Sequence, residues 1–232
     1  MRLLDSLGTW SVSALRFGLG SAVGRVGERP TRRLALYDFE ACPFCRKVRE
    51  TLSILDLEVD VYPCPKRGSR FRPGVVERGG REQFPYLIDA GAGVELYESD
   101  AIIAYLFANY GAGPAPLSYR LGPLTDVAAV LAGAPRAARG VFARPSQRPE
   151  RPLELWSFES SPACRLVREK LCELEIPYVL HNAARGSDRR AQPAGGRAEA
   201  ELPRLFDPNG KWLLMGTRAI QGHLEQRYAR EL

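Results

Sequence analysis

In this 232-residue chain the residues whose types and spacing carry the clearest chemistry are two cysteines, in Cys42-Pro43-Phe44-Cys45. Proline suits the first position of a helix, where its missing N–H costs nothing. The spacing therefore predicts Cys42 at the end of a loop, just ahead of a helix N-terminus. There the unpaired N–H groups and the helix dipole favour thiolate over thiol, pulling the pKa below the free value of about 8.5. Arg46, Lys47 and Arg49 add positive charge nearby. Cys45 falls in the first turn, close enough to form a disulfide with Cys42 or to resolve a mixed disulfide formed there. Incidental thiols, half of a metal site, and an iron–sulfur cluster bridged by Cys42 with external thiols are the competing readings.

The elements that must position this pair occur twice. Leu34 to Leu52 returns about 119 residues later as Leu153 to Leu171, and half of the aligned positions from Leu34 to Leu57 are identical. The match resumes at Arg67-Gly68-Ser69 with Arg185-Gly186-Ser187, at Pro85-x-Leu87-x-Asp89 with Pro203-x-Leu205-x-Asp207, and at Ala101-Ile102 with Ala219-Ile220. Register kept over about 75 residues marks an internal repeat. Each copy reads as a strand (34–39; 153–158), a Pro-started amphipathic helix (43–56; 162–175) and a second strand (58–62; 177–181). A polar stretch with a weak helical pattern follows, then strands near 85–89 and 93–97 and a helix from Ser99 to Tyr110. The order βαβαββα puts the first two strands parallel through a right-handed crossover and the last two in an antiparallel hairpin. The predicted fold class is α/β, two tandem βαβαββα domains with an N-terminal helical extension.

The predicted boundaries are a helical extension over 1–30, a first domain over 31–112, a linker over 113–150 and a second domain over 151–232. Within the linker, Leu121 to Leu131 reads as one short helix. Residues 1–30 carry Leu3, Leu4, Leu7, Trp10, Leu15 and Phe17 at loose helical spacing. A helix packed across the units is the main expectation; a membrane-surface helix and a signal peptide are the alternatives.

Composition narrows the class. With 45% hydrophobic and 26% charged residues, disorder, collagen and coiled coil are excluded, and no apolar run is long enough for a membrane span. The net charge of +6 comes from arginines scattered without aromatic interleaving, which reads as a solvated surface and not as a nucleic-acid site. Five cysteines, at 42, 45, 64, 164 and 172, do not form a secreted disulfide framework, so a reducing, cytoplasmic setting is expected. No metal is expected. Cys164 and Cys172 read as buried small hydrophobes and Cys64 as part of a rigid Pro-flanked loop.

Residues 34–110 resemble a glutaredoxin-like domain of the glutathione S-transferase N-terminal family. The likeness rests on Cys-Pro-Phe-Cys, on Gln83-Phe84-Pro85-Tyr86-Leu87, and on Tyr97-Glu98-Ser99-x-Ala101-Ile102-x-x-Tyr105-Leu106. The whole chain is similar to the tandem proteins of bacteria and plastids built from two such domains, which implies two thioredoxin-like (βαβαββα) folds. The resemblance implies glutathione as co-substrate, with Cys42 as nucleophile and Cys45 as resolving thiol. It also implies that Pro85 is a cis-proline facing Cys42 and that the backbone of Phe84 pairs with the cysteinyl backbone of glutathione. Ser99 and the helix N–H groups would take the γ-glutamyl carboxylate and Glu98 its ammonium; a plain N-cap is the other role for Ser99.

Two departures from the family pattern matter. Asp38 and Glu40 stand where many glutaredoxins place a lysine for the glycine carboxylate, leaving Arg46, Arg67 or Arg81 to replace it. In the second unit Ser161 replaces the first cysteine, which excludes dithiol exchange there, and Gly216-Thr217 replaces Glu-Ser. Ser161, Pro203 and Thr217 define a possible second, serine-type glutathione site in a unit otherwise read as degenerate. The implied activity is a glutathione-linked thiol–disulfide oxidoreductase acting on glutathionylated or disulfide substrates. A conjugating glutathione transferase and a non-enzymatic cluster-binding or assembly scaffold are the alternatives.

Overall fold

A computed structural model describes residues 19–116, 139–192 and 201–230. In the first unit the alternation of buried and half-buried positions makes Leu34–Asp38 strand β1. It is followed by α1 (Pro43–Ile54), β2 (Val59–Pro63), α2 (Arg72–Gly79), β3 (Tyr86–Asp89), β4 (Val94–Tyr97) and α3 (Ser99–Tyr110). The second unit runs β5 (Leu153–Ser157), α4 (Pro162–Glu173), β6 (Tyr178–Asn182), β7 (Arg204–Asp207), β8 (Trp212–Met215) and α5 (Thr217–Tyr228). Where the first unit has α2, the described part of the second shows one 3-10 turn, Asp188–Ala191. The fold is α/β, with a thioredoxin-like unit in each half.

Helix α1 forms because Cys42 caps it, Pro43 opens it, and Val48 and Leu52 bury one stripe against the sheet. It stops at Leu55, where Asp56 takes a φ of 51°, a conformation that Asp adopts more readily than most residues. Helix α4 repeats the design with Ser161 as cap, Pro162 first, and Glu175 at φ 48° past its end.

Within each unit β1 pairs parallel with β2 and antiparallel with β3, and β5 pairs in the same way with β6 and β7. The units then join. β2 and β6 pair antiparallel, Asp60 opposite Val179, giving one eight-stranded sheet in the order β4-β3-β1-β2-β6-β5-β7-β8. This order reads the same from either end, the mark of a pseudo-twofold. It also removes an open edge from each unit. Leucines and valines of both halves, from Leu34 and Val61 to Leu155 and Leu205, belong to one continuous core.

Internal symmetry reaches beyond the repeat read from sequence. Residues 19–30, expected within a helical extension, are extended: Ala22 bridges Arg185 of the second unit and Val26 bridges Gly111 of the first. Gly20, Gly24, Gly27 and Pro30 punctuate this stretch and disfavour a helix. Residues 139–150 form a matching arm, with bridges from Phe142 to Lys66 and from Ser146 to Ala229. At the turn into each arm sits a glycine of positive φ, Gly20 at 77° and Gly140 at 68°. A Cβ on Gly140 would come within 3.0 Å of the Glu40 Cβ, and one on Gly20 within 3.3 Å of the Glu159 Cβ. The predicted linker helix at 121–131 and residues 1–18 lie outside the described residues. Among the described residues no helix is long and apolar enough to cross a membrane.

Candidate active site

Cys42 is the N-cap of α1. Its own N–H donates to the Phe39 carbonyl at 3.0 Å, and its Sγ accepts the backbone N–H of Cys45 at 3.3 Å. Only 5% of Cys42 is exposed and none of Cys45, so both are largely shielded from solvent. The Cys45 thiol donates to Cys42 and lowers its pKa; burial opposes this, while the Cys45 and Phe44 N–H groups and the Arg49 charge reinforce it. Cys45 moves the other way, well above an ordinary thiol, because it is fully buried and faces the Cys42 sulfur and the Asp38 carboxylate. The two thiols are thus set apart, Cys42 shifted toward the thiolate and Cys45 toward keeping its proton. Among the described residues all five cysteines are free.

The peptide bond between Phe84 and Pro85 is cis. The Phe84 ring lies edge-on to Phe39 at 6.3 Å, which ties this segment to the loop that leads into Cys42. Glu98 caps α3 without a side-chain cap bond, and its carboxylate accepts from Gln83 Nε2. Ser99 is buried as the first helical residue, so it is not the N-cap; Glu98 holds that position at a φ of 67°.

The arginines offered for a glycine carboxylate take other places. Arg46 is 5% exposed and faces Glu159 of the second unit at 3.6 Å. Arg67 stacks on Phe142 at 5.2 Å and Arg81 on Tyr97 at 5.1 Å. The guanidinium nearest the Phe84 ring belongs to Arg72, 4.6 Å from its centroid and tied to the Cys64 and Pro65 carbonyls at 3.0 and 2.6 Å. Sequence reasoning missed Arg72, which sits in the weakly patterned helix α2 and carries no motif.

The second unit keeps the frame and changes the chemistry. Ser161 caps α4 as Cys42 caps α1, its Oγ accepting the Cys164 N–H at 3.3 Å, and the bond between Leu202 and Pro203 is cis. Gly216, at φ 77°, stands where the first unit has Glu98. Thr217 does not cap α5: its hydroxyl donates to the Ala163 carbonyl at 3.2 Å. A carboxylate from another segment comes close to this point: Glu201 Oε1 lies 2.5 Å from where a Cβ on Gly216 would stand. Glu201, Thr217 and Arg218 line an open cleft of about 850 Å³ between α4 and α5. Cys164 and Cys172 are core residues; Cys172 Sγ accepts the Glu40 N–H at 3.4 Å and donates to the Gly140 carbonyl.

Between the units the arginines are not a solvated surface. Arg49 is fully buried and bonds to Asp38, to Glu159 at 3.0 Å, to Glu40 Oε2 at 3.3 Å and to the Glu40 carbonyl at 3.2 Å. Arg168, its counterpart in α4, grips Glu40 through two bonds of 3.1 Å and meets Glu159 at 2.8 Å. Four arginines, first Arg168 and Arg49, overcome the burial of Glu159 and hold its carboxyl down at about 2. The apolar face of α1 was legible in sequence; its charged face is buried because the second unit covers it. Among the described residues no group of three or more His, Cys, Asp or Glu is placed to hold a metal ion.

A family model described as the glutathione S-transferase N-terminal domain matches residues 36–115 and again residues 155–231, more than half of the chain. The chain belongs to the glutathione S-transferase N-terminal domain family. Two matches, one per unit, place both halves of the sheet in that family. A glutathione transferase of Bombyx mori is 28% identical over 37% of this chain and 39% of its own, with a TM-score of 0.33. The same silkworm enzyme in complex with GTT gives 25% identity over 40% of this chain and 45% of its own, at a TM-score of 0.33. Glutathione transferase E6 of Drosophila melanogaster gives 29% identity over 38% and 42%, at a TM-score of 0.32. The chain therefore spans less than half the length of each of these transferases. A comparison with curated proteins found no match.

Proposed function

We propose that the protein is a glutathione-linked thiol–disulfide oxidoreductase working through Cys42. The observation that carries this reading is the pair at the start of α1: a capped, thiolate-favouring Cys42 beside a buried Cys45 that keeps its proton. The Cys42 thiolate attacks the glutathione sulfur of a glutathionylated substrate; the Cys42–glutathione disulfide forms as the substrate thiolate leaves and takes a proton. A second glutathione thiolate then attacks that glutathione sulfur, releasing oxidised glutathione and restoring Cys42. Alternatively Cys45 loses its proton and attacks Cys42 Sγ, expelling glutathione and leaving a Cys42–Cys45 disulfide for two further glutathiones to reduce. Five free thiols among the described residues fit a reducing compartment such as the cytoplasm.

Glutathione would lie with its cysteinyl backbone along Phe84 and cis-Pro85 and its γ-glutamyl end at Glu98 and Ser99. The backbone of Glu98 supports this placement. A non-glycine residue at positive φ costs about 1–3 kcal/mol, and such outliers collect at ligand clamps; the second unit has relaxed the same position to Gly216. Glu98→Gly is therefore expected to keep or raise the melting temperature while raising the KM for glutathione roughly tenfold or more, through the lost charge-assisted bond. An unchanged KM would remove Glu98 from the site.

The reading is tested by glutathione-dependent reduction of a small mixed disulfide, coupled to glutathione reductase. Turnover that depends on Cys42 supports it. A folded chain without turnover overturns it. The Ser161 hydroxyl, set at α4 as Cys42 is at α1, favours one second reading, a conjugating transferase. That reading predicts conjugation of a model electrophile that survives Cys42→Ser and disappears in Ser161→Ala.

A further inference from the structure

The second unit has lost its first cysteine, yet its charged residues are built into the surroundings of Cys42. Glu40, two residues before the nucleophile, is gripped at both carboxylate oxygens by Arg168, and its N–H is taken by Cys172 Sγ. Arg49, two turns along α1 from Cys42, is held by Glu159, and its Nη2 bonds to the carbonyl of Glu40. The exchange is reciprocal. Glu159 stands in the second unit where Glu40 stands in the first, its N–H donates to Ser53 Oγ at 3.3 Å, and its carbonyl accepts from Arg168.

We propose that Glu159 and Arg168 of the second unit are positioning residues for Cys42, holding the loop that carries it and setting the net charge beside its sulfur. The inference rests on Cys42 being the nucleophile, but not on glutathione being the co-substrate. A spare copy retained only for packing needs no buried ions, because burying charge is costly and apolar residues of similar volume serve stability at least as well. What an ion cluster supplies and an apolar one does not is a fixed local potential that solvent and salt barely screen.

Cys45 and Arg49 act on the sulfur itself; Arg49 in turn faces Asp38 on β1, Glu40 on the connecting loop and Glu159 of the second unit, and Glu159 faces Arg168, Arg165 and Arg46. Lys47, also on α1, is paired outward with Asp100 of α3. Arg49 favours the Cys42 thiolate, and Glu159 and Arg168 sit in series behind it. Removing the negative charge of Glu159 unmasks Arg49, so the thiolate should form at lower pH; removing the positive charge of Arg168 leaves Glu40 and Glu159 undercompensated, so it should form at higher pH.

The test is the pH dependence of Cys42 alkylation by iodoacetamide in the full chain, read by mass spectrometry for wild type, Glu159→Gln and Arg168→Gln. The expected result is opposite shifts of the midpoint, each roughly 0.3–1 unit, the size expected of a buried charge acting through one intervening residue. A merely structural role would loosen the loop in both variants and move the midpoints the same way. Shifts of the same sign, or none in folded variants, overturn the proposal. Should either variant fail to fold, the wild-type midpoint decides: one that holds between low and molar salt supports buried control, and one that climbs toward the free-cysteine value assigns the effect to surface charge. Opposite shifts in a chain without glutathione turnover would keep this inference and reject the proposed reaction.

Discussion

Cys42→Ser should lower glutathione-dependent reduction of a small mixed disulfide by at least roughly 100-fold, because the serine hydroxyl at neutral pH is no substitute for a thiolate. Its fold should survive the change, since Ser161 occupies the equivalent cap with the same 3.3 Å bond to the N–H three residues on. Cys45→Ser separates the two routes by which Cys42 is released. If a second glutathione does this, activity stays within a few-fold of wild type and the Cys42–glutathione adduct is seen by mass spectrometry under limiting glutathione. If Cys45 is obligatory, both variants are inactive and the adduct accumulates irreversibly in Cys45→Ser. The Cys45 thiol also donates to Cys42, so Cys45→Ala, which removes the donor, should move the Cys42 alkylation midpoint upward. A wild-type level of turnover in Cys42→Ser would show that neither route is used.

Arg49→Met should destabilise the protein by about 3–5 kcal/mol, the usual cost of breaking a buried ion cluster by removing one partner. The side chain touches Asp38, Glu40 and Glu159 together and is 1% exposed, so neither water nor rotation can supply a substitute. The loss should depend on pH in a definite direction. Burial already lifts the Asp38 carboxyl above the ordinary carboxylate range, and the Arg49 charge is what restrains it. Without Arg49 the folded-state pKa rises further above the unfolded one, so the folded protein prefers the protonated acid. Protonation relieves the stranded charge, and the gap in melting temperature between variant and wild type should narrow as pH falls from 8 toward 5. A gap that stays constant over this range would mean that Arg49 acts through packing alone.

The site was partly legible before the fold was known. Cys42 and Cys45 announce themselves because a helix-opening proline and paired thiols are local signals that survive without tertiary context, whereas a role for Pro85 was marked only by the family resemblance. Arg72 was not legible, since nothing local distinguishes it from 32 other basic residues, and only the approach of α2 to Phe84 singles it out. Asp89 shows the intermediate case. Its repetition as Asp207 marks it in the sequence, but its task is visible only where it accepts from Tyr105, Tyr110 and the turn N–H groups of Gly91 and Ala92, as Asp207 does from Tyr228, His223 and Asn209.

The short-range properties of each unit are encoded locally along the chain. Apolar periodicity decides which stretches become strands or helices, Pro43 and Pro162 decide where the main helices begin, and the repeat decides that the plan is used twice. How the copies meet depends on long-range pairing. Pairing Asp60 with Val179 across β2 and β6 involves residues more than a hundred positions apart, and no local pattern encodes that register. The same meeting reversed the meaning of the charges on α1 and α4. Arg46, Arg49, Arg165 and Arg168 look like solvent-facing residues on isolated helices and become buried because each helix covers the polar face of the other unit. Burial depends on what lies opposite a side chain, and in this protein what lies opposite is the other copy of the repeat.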